Sequence, residues 1–92
     1  MARLSDDEIE QRLAGDWRRE GETLVRDIEC KGFEAAMSLA NAVADAANEA
    51  NHHPDILIHG YKHVRLTLST HSEGGITDND FALAQAIDRI EL

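Results

Sequence analysis

Residues 56–68, Ile56-Leu57-Ile58-His59-Gly60-Tyr61-Lys62-His63-Val64-Arg65-Leu66-Thr67-Leu68, read as two strands folded back on each other. Ile56 to Ile58 is a short apolar run, and Gly60-Tyr61 supplies the turn. Val64, Leu66 and Leu68 then alternate with Arg65, Thr67 and Ser69. That period of two sends one side of a strand to a core and the other to water. Upstream lies the strongest helix signal, Phe33 to Ala50, with Phe33, Met37, Ala40, Ala44 and Ala47 at spacings of three and four. Its alanines suit close packing against a sheet or another helix, and Pro54 bars its continuation.

Further out, Trp17 to Glu29 divides around Gly21-Glu22 into two more short strands, and Lys31-Gly32 separates them from the helix. Ser5-Asp6-Asp7-Glu8 carries a cap with Glu8 at the capping-box position, followed by Ile9 and Leu13 on one face and Gly15 as a stop. After the loop Ser72-Glu73-Gly74-Gly75, Thr77 caps a last helix bearing Phe81, Ala84, Ile87 and Ile90. The order is α-β-β-α-β-β-α. Strand pairs joined by short turns favour an antiparallel sheet. The expected fold is α+β: residues 1–92 as one domain, a four-stranded antiparallel sheet with helices packed on one face.

Composition narrows the function. The chain has 92 residues, 42% hydrophobic and 29% charged, near globular averages. No apolar run approaches the roughly 20 residues a membrane helix needs, so no membrane role is expected. The opening Met1–Asp7 lacks the apolar stretch of a secretory signal, so a cytoplasmic protein is expected. Eighteen acidic against nine basic residues give a net charge of −9, and the basic residues are scattered. Direct nucleic-acid binding is therefore not expected, because phosphate binders cluster Lys and Arg. The one cysteine, Cys30, cannot form an intramolecular disulfide or a thiolate-rich zinc site.

Five histidines are available for chemistry. His52 and His53 lie between the long helix and Pro54, and His71 lies just beyond the cleanest strand, on its polar side. His59 and His63 flank the Gly60-Tyr61 turn and read as solvated or structural. Proline holds His53 extended, so the side chains of His52 and His53 diverge and do different jobs. The bland alternative for the pair is an exposed helix end, where imidazolium favours the dipole. A divergent pair chelates a metal poorly, no serine or cysteine sits in a nucleophile-elbow context, and Gly74-Gly75 lacks the rest of a phosphate loop. General acid–base chemistry remains, since imidazole exchanges protons near neutral pH.

Asn51-His52-His53-Pro54-Asp55, Tyr61, Leu66-Thr67-Leu68-Ser69-Thr70-His71 and Asp80 together resemble the pterin-4a-carbinolamine dehydratase (4a-hydroxytetrahydrobiopterin dehydratase) family. The family's pattern is His-His-Pro, an aromatic about seven residues after the proline, a histidine ten beyond it, and a later aspartate. The resemblance runs from about Trp17 to Asp88. It implies loss of water from a 4a-hydroxy-tetrahydropterin to give quinonoid dihydropterin, with no metal, nucleotide or redox cofactor. His52 and His71 are then the candidates for the two proton transfers, with His53 holding the pterin or orienting the pocket. Asn51, Ser69, Thr70 and Ser72 are candidate contacts to the ring edge, alongside the histidines. Asp80, Asn48, Glu49 and Trp17 are candidate supporting residues. One position departs: where the family usually has an acidic residue, four before the first motif histidine, this chain has Asn48. Glu49 is adjacent, but one helical step turns it by about 100°. The resemblance also implies self-assembly into a homodimer or homotetramer and a place beside an aromatic amino acid hydroxylase in tetrahydrobiopterin recycling. A different class stays open on the same fold: a non-catalytic dimerisation or assembly cofactor, or a pterin-binding module without turnover.

Overall fold

The computed structural model describes residues 2–91. Its elements follow the predicted order: α1 (Asp6–Arg12), β1 (Arg18–Glu20), β2 (Thr23–Glu29), α2 (Phe33–Ala50), β3 (Asp55–His59), β4 (His63–Leu68) and α3 (Asp78–Asp88), with a 3₁₀ turn at His71–Glu73 before the last helix. The four strands form one antiparallel sheet in the order β1-β2-β4-β3, so β4 sits centrally and β1 and β3 are edges. The fold is α+β, as the alternation and turns predict.

Register explains how the two sides of the sheet differ. Leu24 lies opposite Leu68, Ile28 opposite Val64, and Val64 in turn opposite Ile58. Directly opposed residues share a face. Leu24, Ile28, Val64, Leu66 and Leu68 are all buried, in one cluster with Ile9 of α1, Ala36, Leu39 and Val43 of α2, and Phe81, Ala84 and Ile87 of α3. Burying each such aliphatic side chain contributes about 1.5–3 kcal/mol relative to leaving it exposed. The other side alternates with this one and carries three rows: Glu29, His63 and His59; Asp27, Arg65 and Leu57; Val25, Thr67 and Asp55. Helices cover the first side and leave the second open.

The buried face of α2 differs from the predicted one. Ala36, Leu39, Val43 and Ala47 pack inward, whereas Phe33 is 55% exposed and Met37 40% exposed. The two stripes differ by about a quarter turn at 100° per residue and share Ala47. So alanine-rich a helix offers more than one apolar stripe, and Leu39 and Val43, its larger aliphatics besides Met37, select the one that meets the sheet. The stop also differs in detail. Asn51 takes the left-handed conformation (φ 51°), and its N–H reaches the carbonyls of Ala47 and Asn48, which ends the helix before Pro54 is reached.

The two predicted caps are present. Ser5 and Glu8 form a capping box on α1, and Thr77 forms one on α3 with Asp80 as its partner. The second box matters for the site, because its acid is fully buried. No helix among the described residues is long and apolar enough to cross a membrane.

Candidate active site

The alternation of the open face continues past the ends of the strands. Two residues before Asp55 is His53; two and four after Thr67 are Ser69 and His71; two before Val25 is Thr23. Thr23, His53, Asp55, Thr67, Ser69 and His71 together line a small cleft of about 80 Å³. Such a volume is well below the roughly 300–1,000 Å³ that encloses a small molecule. The cleft can therefore hold only part of a small molecule, with the rest lying outside it. Its wall offers imidazoles, hydroxyls and one carboxylate.

His52, one residue earlier than His53, turns to the other side of the chain. Its Nε2 lies 2.6 Å from Asp80 Oδ1, and its side chain is 13% exposed. Asp80 has no exposed surface at all, and its second oxygen accepts from the Thr70 hydroxyl and the Thr77 N–H, each at 2.9 Å. A buried carboxylate left without donors is costly, and here each oxygen has at least one. Because Oδ2 already takes two donors, the carboxylate serves His52 as an acceptor. His52 Nε2–H is thus the donor, and its Nδ1 is the ring atom left for other work.

His53 has a different partner. Its Nε2 is 3.1 Å from the Asn48 side-chain oxygen, on the last turn of α2. The two adjacent histidines do diverge, as the proline requires. Asn48 lies where the resemblance leads one to expect an acid, and it supplies a neutral hydrogen bond to His53.

The remaining candidates scatter. Ser69 lines the cleft and its hydroxyl donates to the Glu22 carbonyl at 3.0 Å. Thr70 is buried, with its hydroxyl turned to Asp80 and away from the cleft. Asn51, Glu49 and Ser72 are exposed and do not line the cleft. Trp17 is buried against α3, where its indole N–H donates to Asp88 at 2.8 Å. Asp88 stands eight residues beyond Asp80, about 12 Å along the helix, so Trp17 supports the far end of α3 and not the cleft. Thr23, Asp55 and Thr67 are cleft residues that sequence reasoning missed. Part of the signal was present: Thr67 falls on the same period of two as Ser69 and His71, and Asp55 on that of His53.

Two of the larger grooves lack this convergence. One, of about 360 Å³, runs between α2 and the end of β2, lined by Cys30, Ala35, Leu39, Ala42 and Ile90 among others, and holds no histidine. The other, of about 380 Å³, is a shallow depression over His59, His63, Asp27, Glu29 and Arg65. There the two imidazoles stack on each other, with centroids 5.4 Å apart. Arg65, then Arg18, hold the Asp27 carboxyl beside them below the usual carboxylate range through charged hydrogen bonds. Among the described residues, no group of three or more His, Cys, Asp or Glu is placed to hold a metal ion.

Fold and site together define a small α+β protein that gathers three imidazoles around the end of an antiparallel sheet and anchors one of them on a buried aspartate. Residues 2–90 match the model of the family described as pterin 4 alpha carbinolamine dehydratase, and the chain belongs to that family. It is 49% identical over 92 residues to a provisionally named pterin-4-alpha-carbinolamine dehydratase of Chloroflexus aurantiacus, covering 98% of both chains. It is likewise 49% identical over 90 residues to one of Thermomicrobium roseum, covering 95% of each. Among solved structures, a transcriptional coactivator/pterin dehydratase from Brucella melitensis superposes with a TM-score of 0.87 at 30% identity, over 94% of this chain and 95% of that one. A pterin dehydratase-like protein described as a RuBisCO assembly factor of the alpha-carboxysome shares the fold, with a TM-score of 0.65 at 23% identity over 80% and 87% of the two chains.

Proposed function

We propose that this chain removes water from a 4a-hydroxy-tetrahydropterin to give the quinonoid dihydropterin. The observation that carries the reading is the convergence of His53 and His71 on one cleft, with His52 held behind them by buried Asp80. Hydroxide is a poor leaving group, so an acid must deliver a proton as the C4a–O bond breaks. A base must take the proton from the adjacent ring nitrogen as the new double bond forms. Two imidazoles on one cleft can do both near neutral pH, one starting protonated and one neutral. In this reading His53 and His71 handle the protons, and His52 braces the site from behind through Asp80. His52 and His53 thus exchange the roles that the resemblance alone assigns them. Ser69, Thr67, Thr23 and Asp55 supply the polar contacts to the ring edge. The exchange is balanced without oxidant or reductant: the products are water and the dihydropterin. A cytoplasmic place for this reaction is part of the proposal.

The test is direct. Freshly generated 4a-hydroxy-tetrahydropterin, followed by absorbance, should dehydrate faster with the protein than without it. An unchanged rate at micromolar protein would reject the enzyme reading.

We also propose that the chain assembles with copies of itself, as a dimer or tetramer. Exposed Phe33 and Met37 on α2, and exposed Ile56 and Leu57 on edge strand β3, support this. Unpaired edges and exposed large apolar side chains are surfaces that proteins tend to cover. The same surfaces favour a second reading, an assembly or coactivator role like those described for the two structural neighbours, and the dehydration assay separates the two. The −9 charge per chain opposes association, and salt screens it within about 8 Å. Light scattering should therefore show larger species as salt is added, and a monomer at every salt concentration would refute assembly.

A further inference from the structure

We infer that Thr70 is a positioning residue: its hydroxyl ties the strand end that carries His71 to the same buried carboxylate that holds His52. One side chain, Asp80, then sets the relative placement of two histidines from different parts of the chain. The inference rests on the dehydratase reading of this cleft and adds a residue whose chemistry is indirect.

Thr70 Oγ1 has two partners, Asp80 Oδ2 at 2.9 Å and Thr77 Oγ1 at 2.8 Å. A hydroxyl has one proton, and Asp80 can use it only as an acceptor. The Thr70 proton therefore goes to Asp80, and Thr70 accepts from the Thr77 hydroxyl. Thr77 Oγ1 in turn accepts from the Asn79 N–H at 3.2 Å. Donors thus run in one direction, from the first turn of α3 through two threonines to Asp80. Both threonines are buried, so water offers no replacement for these bonds.

The backbone of Thr70 is held as firmly as its side chain. Its N–H donates to the Gly75 carbonyl at 2.9 Å, and the Glu73 N–H returns to its own carbonyl at 3.0 Å. Residues 70–75 are thereby closed at the base into a short loop, and His71 is the first residue out of that base. A shift of Thr70 moves His71. His52 meets the other oxygen of Asp80, so a carboxylate that rotates to find a lost donor also moves His52. Misplacement on the order of 1 Å can cost about 10²-fold in rate.

The experiment compares Thr70→Val, which removes the hydroxyl at nearly constant volume, with Thr70→Ser, which keeps it. Thr70→Val should lower kcat roughly 10-fold or more while KM stays within about two-fold of wild type, and Thr70→Ser should restore kcat. Contact with the ring instead predicts a raised KM with kcat preserved, and that result would overturn the inference. So would Thr70→Val with wild-type kinetics. NMR supplies a readout that needs no turnover: the His52 Nε2–H signal and the His71 ring signals should both move in Thr70→Val and in neither case in Thr70→Ser. If His52 is unmoved, the clamp is absent even where the dehydratase reading holds. If wild type has no turnover but the NMR shifts appear, the dehydratase reading fails and the clamp stands. Should Thr70→Val not fold, the wild-type Thr70 hydroxyl proton decides: slow exchange with water supports the clamp, and exchange at the solvent rate rejects it.

Discussion

Strands β3 and β4 have a histidine at or near each of their ends, and the two ends are unlike. At one end His53 and His71 face a cleft, with Asn48 on His53 and the Asp80–Thr70 pair beneath. At the other, His59 and His63 lie across the hairpin turn and stack on each other, beside the Lys62–Glu29 and Arg65–Asp27 ion pairs. Both pairs sit on the open face of the same sheet. The difference is what stands behind them. The first pair is backed by a helix cap, a helix end and a buried carboxylate, so the backbone segments that carry its rings are held relative to each other. The second is backed by solvated ion pairs, which typically contribute under about 1 kcal/mol and fix little. A histidine's type and exposure therefore say less about its chemistry than the number of rigid elements that converge on it.

The largest expected effect lies at the cleft. His71→Ala and His53→Ala should each lower dehydration by about 10²–10⁴-fold, with melting temperature almost unchanged because both side chains are exposed. Steady-state rates beside a thermal melt check this, and wild-type rates in both variants would break the contrast between the two ends. Asp80→Ala should act on stability as well. It leaves buried donors without an acceptor, at about 1–3 kcal/mol each, and each kcal/mol lowers the melting temperature by about 4–8 °C in a domain this size. An unshifted melt would mean that water replaces the carboxylate, and the end would be less rigid than described.

Asn48→Asp sharpens the comparison by adding a charge on the cleft side. A carboxylate beside His53 favours its protonated form. One limb of the pH–rate profile should move to higher pH, the acid limb where His53 is the base and the alkaline limb where it is the acid, and two limbs that both stay in place would remove His53 from the proton transfers. At the other end Asp27→Asn probes the ion pairs. Arg65 and Arg18 lower the Asp27 carboxyl, so its folded value lies below its unfolded one. It contributes stability above the ordinary carboxylate range, and that contribution disappears as pH falls through the lower, folded value. The melting difference from wild type should be small at pH 7 and should vanish in strong acid. A difference that persists there would point to packing and not charge.

Much of this is legible in the sequence. Val64, Leu66 and Leu68 against Arg65, Thr67 and Ser69 state a two-sided strand, and Ser5-Glu8 and Thr77 state helix starts, because these signals are local. The face of α2 was not legible. Phe33 and Met37 form as good a stripe as Leu39 and Val43, and only the sheet's position chooses between them. At the site, divergence of His52 and His53 followed from Pro54 alone. Which of the two enters the cleft depends on the register of β3 against β4, where Asp55 opposes Thr67. The period of two then carries His53 to the side of Ser69 and His71. The bond from His52 to Asp80 spans 28 residues and joins two helix ends, so no local pattern announces it.

The most direct measurement sets the two ends against each other in one assay. Dehydration of 4a-hydroxy-tetrahydropterin is followed for His53→Ala/His71→Ala and for His59→Ala/His63→Ala, each confirmed folded. The first double variant should fall to the uncatalysed rate, and the second should stay within about two-fold of wild type. Equal losses in both, or a loss confined to the second, would contradict the contrast between the two ends.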